Sequence, residues 1–250
     1  MRLYFLHCGS LDLERSVIIP GAPKGQRLTL PIPAMLLQVD GKNILVDTGL
    51  PDFCVDNPRA LADEGEPDPP EMVPYMSQQQ TVAGQLALLG LTLGNLDLVV
   101  NSHLHFDHCG GNQHMTASPI LVDARELETA RAGIGVGPVF EGPGVTFQTF
   151  EGDYELAPGV QLLATPGHTP GHHSLLVRLP HSGPLLLTVD AVYTEALWRE
   201  NALGACANAE DARRSMDRLR QVAQEAGAQV VFGHDPEQWR TLRHAPAFYE

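Results

Sequence analysis

Cysteine is scarce in this chain. Only Cys8, Cys54, Cys109 and Cys206 occur among 250 residues, widely scattered and with no C-x-x-C pair. That excludes a small disulfide framework and makes reduced, cytosolic thiols the default. Long apolar runs are also missing, and none approaches the roughly 20 residues that a membrane helix needs. Met1 to His7 is too short in apolar length for a signal peptide. Cations are few, with 16 Lys and Arg against 30 Asp and Glu and a formal net charge of -14. So acidic a balance favours solubility and disfavours nucleic acid or an anionic membrane as partner, because both repel it. Hydrophobic content of 43% and charged content of 18% fit an ordinary globular protein. The length suffices for a sizeable core. No linker or short-period repeat divides the chain. The expectation is a cytoplasmic protein with one domain over residues 1–250.

Along the chain, apolar runs of strand length alternate with fewer helical stretches. Arg2 to His7, Ala34 to Val39 and Asn43 to Val46 read as strands, the last two split by the hairpin signal Asp40-Gly41. Val17 to Ile19 is a short apolar piece before a Gly/Pro-rich loop. Pro51 to Pro74, rich in proline and acidic residues, reads as a long loop, of the kind that is usually a functional lid or disordered. Ser77 to Leu89 has helical spacing, with Gly90 as a stop. Leu96 to Val100, Pro119 to Val122, Val145 to Phe150, Val160 to Ala164, Ser174 to Leu179, Leu185 to Val189 and Gln229 to Phe232 read as further strands. Ala124 to Arg131 reads as a helix. Asn208 caps another, with Ala212, Met216, Leu219 and Ala223 on its apolar face and Gly227 as its end. The pattern predicts an α/β protein whose two sheets pack together under outer helices.

Chemistry concentrates in Ser102-His103-Leu104-His105-Phe106-Asp107-His108-Cys109-Gly110-Gly111-Asn112. The stretch follows a strand, where open α/β sheets place their sites, and Gly110-Gly111 reads as a sharp turn. Imidazole and carboxylate are common donors to zinc and similar cations. One ion cannot easily take all four side chains from so tight a loop. His103 and His105 can point one way while Asp107 and His108 point the other, which implies two adjacent metal sites. The remaining donors share one local grammar, an apolar strand followed by a ligand. His168 follows Val160 to Ala164, Asp190 follows Leu185 to Val189, and His234 follows Gln229 to Phe232. One arrangement gives His103, His105 and His168 to the first cation and Asp107, His108 and His234 to the second, with Asp190 bridging. Asp47 and His172 are candidates to orient these ligands from behind. His7, His114, His181 and His244 read as surface residues.

These residues resemble the metallo-β-lactamase superfamily. Its signature H-x-H-x-D-H is matched by His103 to His108, and its later His, Asp and His by His168, Asp190 and His234. The resemblance implies an αββα sandwich of two mixed sheets flanked by helices, and a hydrolase with two divalent cations. Zinc is the default, with manganese, iron or cobalt also accepted by such ligands. β-Lactamases with a cysteine ligand do not fit, because Asp190 takes the bridging position. Flavodiiron oxidoreductases usually carry glutamate where His105 stands.

A narrower similarity is to the N-acyl-homoserine lactonases, the quorum-quenching enzymes. It rests on the His103 loop, Glu151 to Glu155, Thr165 to His172, Asp190 to Thr194, Phe232 to Asp235, Leu3-Tyr4-Phe5 and Asp47-Thr48-Gly49. Cys109, the region from Gln80 to Leu91 and Phe248-Tyr249 are closer to the pyridoxolactonase branch. The implied reaction is lactone opening by a hydroxide bridging two cations. Tyr193 matches the family's substrate-facing tyrosine, and Asp107 would pass a proton to the leaving alkoxide. Val17, Ile18, Phe53, Met72 and Met76 are candidates for an apolar acyl groove. The expected partner is a small lactone, with a homodimer an open option and neither nucleic acid nor membrane. The alternatives are another lactone, or an ester or thioester hydrolase such as a glyoxalase-II-like enzyme. A nuclease of the superfamily is disfavoured by the acidic balance.

Overall fold

The computed structural model describes residues 1–63, 65, 69–134 and 140–250. One sheet contains β1 (Arg2–Glu14), β2 (Arg27–Val39), β3 (Lys42–Val46), β4 (Met72–Tyr75), β5 (Leu98–Val100), β6 (Ile120–Asp123) and β7 (Phe147–Phe150), in the order β4-β1-β2-β3-β5-β6-β7. The other contains β8 (Tyr154–Ala157), β9 (Val160–Ala164), β10 (His173–Leu179), β11 (Gly183–Leu187) and β12 (Gln229–Val231), in the order β12-β11-β10-β9-β8. Both sheets are mixed. The first is antiparallel from β4 to β3 and parallel from β3 to β7. In the second, only β11 and β12 run parallel. The helices are α1 (Val82–Ala87), α2 (Phe106–Cys109), α3 (Ala124–Arg131), α4 (Glu195–Glu200), α5 (Ala209–Ala226) and α6 (Pro236–Trp239).

Successive strand residues point to opposite faces, and this sorts the apolar residues into layers. Leu37, Ile44 and Val46 of the first sheet meet Leu162, Leu175, Val177, Leu185 and Leu187 of the second. Leu36 and Leu45 point the other way, into a cluster with Val82 and Leu86 of α1. Leu163, Leu176 and Leu186 point away from the first sheet, into a cluster with Met216 and Leu219 of α5. Each sheet is therefore covered on both faces, which is the αββα sandwich. Truncating a fully buried leucine such as Leu175 to alanine costs about 2–5 kcal/mol.

The helix expected over Ser77 to Leu89 is broken in two. Ser77 and Gln80 form a capping box around a 3-10 turn, and extended Thr81 then caps α1 through its accepted Gly84 N–H. Two competing caps replace one long helix. The loop expected over Pro51 to Pro74 ends inside β4, which pairs with β1. Pro74 is tolerated there because β4 is an edge strand. β2 starts earlier than expected and contains Pro31 and Pro33, which lie opposite the irregular pairing between His7 and Ser10. His7 and His244, read as surface, are half-buried against Trp239, with ring centroids 5.6 and 4.3 Å away. No helix is long and apolar enough to cross a membrane among the described residues.

All four cysteines are free. Cys8, Cys54 and Cys109 are buried, whereas Cys206 is half-buried. Burial pushes the Cys8 and Cys54 thiols up to about 12 and the Cys109 thiol well above its usual value.

Candidate metal centre

Five strands end at this site. Asp47 follows β3, the His103 loop follows β5, and the His168 loop follows β9. Asp190 follows β11 in a 3-10 turn, and His234 follows β12. After β5 the chain passes His103 and His105, then turns into α2, which carries Asp107 and His108. Gly110 and Gly111 make the turn expected of them, with φ, ψ of −61°, −30° and −87°, 0°, the angles of a type I turn. Neither angle demands glycine, but the missing side chains permit close approach. A Cβ on Gly110 would stand 2.2 Å from the Pro51 nitrogen, and one on Gly111 2.9 Å from the Thr48 oxygen.

The seven expected donors form two groups. His103 Nε2, His105 Nδ1 and His168 Nε2 lie 2.9–3.2 Å from one another. His108 Nε2 and His234 Nε2 lie 3.3 Å apart, with Asp107 Oδ2 at 3.6 and 3.8 Å from them. Asp190 stands between the groups. Its Oδ2 is 3.3 Å from His168 Nε2 and 3.8 Å from His103 Nε2. Its Oδ1 is 3.2 Å from His108 Nε2 and 3.0 Å from His234 Nε2, yet is buried without a well-formed hydrogen bond.

The tautomers follow from the partners behind the rings. Ser102 Oγ donates to Asp47 Oδ2 at 2.8 Å, so it accepts from His103 Nδ1–H at 3.1 Å. The Ala205 carbonyl, 3.2 Å from His168 Nδ1, can only accept. His108 Nδ1 donates to Asp47 Oδ2 at 2.9 Å, and His234 Nδ1 to the Pro31 carbonyl at 2.8 Å. Held this way, His103 and His168 turn bare Nε2 lone pairs on one another. Such pairs repel unless a cation lies between them. Nitrogens on one tetrahedral zinc stand about 3.3–3.4 Å apart, given bonds of about 2.0–2.1 Å. The observed spacings are close to that, so the donor set fits two cations sharing Asp190.

Burial disfavours charge on His103 and His172, holding both well below the usual imidazole range, and it pulls His168 down to about 4. Burial opposes charge on His108 and His234 too, but Asp190 and Asp107 beside them raise both. Burial also opposes ionisation of Asp190, yet His234, His108 and His168 hold its carboxyl well below the usual carboxylate range. Burial, with Asp190 and Asp107 nearby, raises the Tyr193 phenol well above its usual value, so it keeps its proton. Tyr193 donates that proton to the Ala205 carbonyl at 3.1 Å and lies 3.0 Å from His168 Nδ1.

His172 Nε2 accepts the Asp190 backbone N–H at 3.1 Å, and its Nδ1 lies 2.9 Å from Thr165 Oγ1. Asp47 accepts from the Ser102 N–H and hydroxyl as well as from His108.

A cavity of about 200 Å³ opens over the donors. Leu11, Leu13, Val17, Ile18, Leu30, Met72 and Phe106 form its apolar wall, with His105, Asp107, His168, Asp190, Tyr193, Ala205 and His234 completing it. Val17, Ile18 and Met72 were expected there. Phe53 and Met76 are not among the lining residues. Phe53 is 49% exposed, and Met76 is buried in the cluster containing Leu11 and Leu50. Phe106 escaped the sequence reading although it sits inside the H-x-H-x-D-H run. The Ala205 carbonyl left no trace in the sequence, because it is backbone.

Residues 28–234 match the metallo-beta-lactamase superfamily. An N-acyl homoserine lactonase of a Bacillus species is 37% identical over 247 residues, covering 99% of this chain and 98% of that protein. The N-acyl homoserine lactonase AttM of Azorhizobium caulinodans is 37% identical over 268 residues, covering 100% and 99%. A crystal structure of an N-acyl homoserine lactone hydrolase, with the product N-hexanoyl-L-homoserine at its catalytic metal centre, superposes with a TM-score of 0.92 at 36% identity, covering 99% and 98%. The chain belongs to the metallo-beta-lactamase superfamily and, within it, to the family of the N-acyl homoserine lactonases.

Proposed function

We propose that this chain hydrolyses N-acyl homoserine lactones as a metal-dependent, quorum-quenching lactonase. The observation that carries the reading is the pair of donor groups sharing Asp190 at the floor of an apolar cavity. His103, His105 and His168 would hold one divalent cation, Asp107, His108 and His234 the other, and Asp190 would touch both. When bound, the pair supplies Lewis acidity toward an ester carbonyl and a nucleophile from water near neutral pH.

The chain's own groups do the rest. The neutral Tyr193 hydroxyl, turned from the Ala205 carbonyl toward the cavity, donates to the carbonyl oxygen as negative charge develops there. Asp107 lies on the cavity wall, where it would take the proton that the attacking water gives up and pass it to the leaving alkoxide. Asp47 and His172 hold His108 and Asp190 in place. Leu11, Leu13, Ile18 and Phe106 offer an acyl chain an apolar surface. No Lys or Arg lines the cavity among the described residues, which favours a neutral lactone over an anionic glutathione thioester.

The reading includes zinc as the native cation, a cytoplasmic enzyme and one hydrolase domain over residues 1–250. A homodimer would add no donor, since all seven come from one chain. The test is acid release from N-acyl homoserine lactones of several chain lengths, an unsubstituted γ-lactone and a pyridine-fused lactone, with and without chelator. Chelator-sensitive opening that favours acylated rings is expected. Opening of the aromatic lactone alone would assign the pyridoxolactonase-like alternative instead.

A further inference from the structure

Glu126, the third residue of α3, is 3% exposed and joins two loops. Its Oε1 accepts the Leu104 N–H at 3.0 Å, and its Oε2 accepts the Gly171 N–H at 2.9 Å. Leu104 lies between His103 and His105, and Gly171 lies three residues beyond His168. One carboxylate thus fastens together the two segments that supply His103, His105 and His168.

The local sequence would not ordinarily send Glu126 there. Asp123 caps α3 by accepting the Arg125 N–H at 2.9 Å. A glutamate at this position commonly turns back to the cap's own N–H, completing a capping box. Here it reaches out to foreign backbone. Each oxygen faces a separate donor, so both must accept, which a carboxylate does and an amide cannot. Gly171 makes the contact possible, because a Cβ there would stand 2.5 Å from Glu126 Cβ and 2.6 Å from its nitrogen. At the other end of the same loop, a Cβ on Gly167 would stand 2.2 Å from the Ala212 nitrogen in α5. His168 is therefore carried between two close contacts, one against each helix. His108 and His234 are backed by Asp47 and the Pro31 carbonyl, neither of which Glu126 touches, and Asp47 reaches the first group only indirectly, through Ser102 to His103.

We propose that Glu126 is a positioning residue for the His103–His105–His168 group alone, setting the cation affinity of that group independently of the other. The inference rests on the reading that the two groups each hold a cation. The test is titration of metal-free protein with zinc in competition with a chromophoric chelator. Glu126→Gln places an N–H against an N–H, so it should weaken one of two cations by about 10–100-fold, the usual cost of losing a partner behind a ligand, and leave the other unchanged. In a His234→Ala background, which keeps the first group, the weakening should persist. In a His105→Ala background, which keeps the second, Glu126→Gln should have no effect. Gly171→Ala, which pushes the loop off Glu126 from the opposite side, should repeat the pattern and serves if Glu126→Gln does not fold. Equal weakening of both cations, or none, in a chain whose wild type takes two overturns this inference alone. A wild type that takes fewer than two overturns the two-cation reading and this inference with it.

Discussion

The two donor groups are built from different backings. His103 and His168 rest on neutral oxygens, the Ser102 hydroxyl and the Ala205 carbonyl. The other group contains a carboxylate, Asp107, and has a second behind it, Asp47 on His108. The first group is thus an imidazole trio that depends on loop placement. The second is an anionic pocket that attracts positive charge on its own. Burial keeps His103 and His168 neutral, whereas the surrounding carboxylates favour the charged form of His108 and His234 when no other cation is there. Only Asp190 belongs to both.

The largest effect should come from erasing what the groups share. Asp190→Asn leaves a neutral amide in place of both charged oxygens. Both cations should be lost together, with activity, as read by elemental analysis beside kinetics. Full activity with two cations retained would make Asp190 an ordinary strand-end residue. Next in size, Tyr193→Phe removes a hydroxyl that touches His168 without serving as a ligand. Both cations should stay while turnover falls by about 10²–10³-fold, the usual loss for an oxyanion donor. Kinetics equal to wild type would remove Tyr193 from the reaction.

Asp47→Asn should act mainly on the second group, where Asp47 touches a ligand directly, lowering the affinity of one cation by about 10–100-fold, with a smaller loss at the imidazole trio, which Asp47 reaches only through Ser102. Equal losses at both would erase the distinction between the backings. The smallest effect concerns pH. His108 and His234 are raised and so carry protons that a cation must displace, while His103 and His168 are lowered and already bare. Cation uptake by the second group should therefore release more protons near pH 7, and lowering the pH should weaken that group more. Calorimetry in buffers of different ionisation enthalpy measures this directly, and equal proton release would contradict it.

The convergence of the seven His and Asp side chains was legible in the sequence because each belongs to a segment that follows an apolar strand. The layering was legible for a related reason, since near-continuous apolar runs such as Leu175 to Leu179 need cover on both faces. What stayed hidden depends on contacts distant in sequence. β4 lay unseen because Pro74 argues against a strand until its edge position is known. Leu11, Leu13 and Leu30 look like any strand residues, and only the fold turns them toward the donors. Glu126 reads as a helix-capping residue, and nothing local says that Leu104 and Gly171 will arrive at its two oxygens. Phe53 was misleading for the opposite reason, as an aromatic in a loop near the site that does not line the cavity.

The uneven burial of the thiols makes the chain a convenient substrate for chemical labelling. Cys8, Cys54 and Cys109 are shielded and held in the protonated form, so a maleimide reaches them only after unfolding. Cys206, whose thiol burial also raises, is nevertheless only half-buried and therefore reachable; it immediately follows Ala205 and lines a small recess with His168 and Asp190. One fluorophore per native chain would therefore sit beside the metal centre, installed without mutagenesis. Its emission would give a continuous signal of cation loading while the other three thiols count the unfolded fraction.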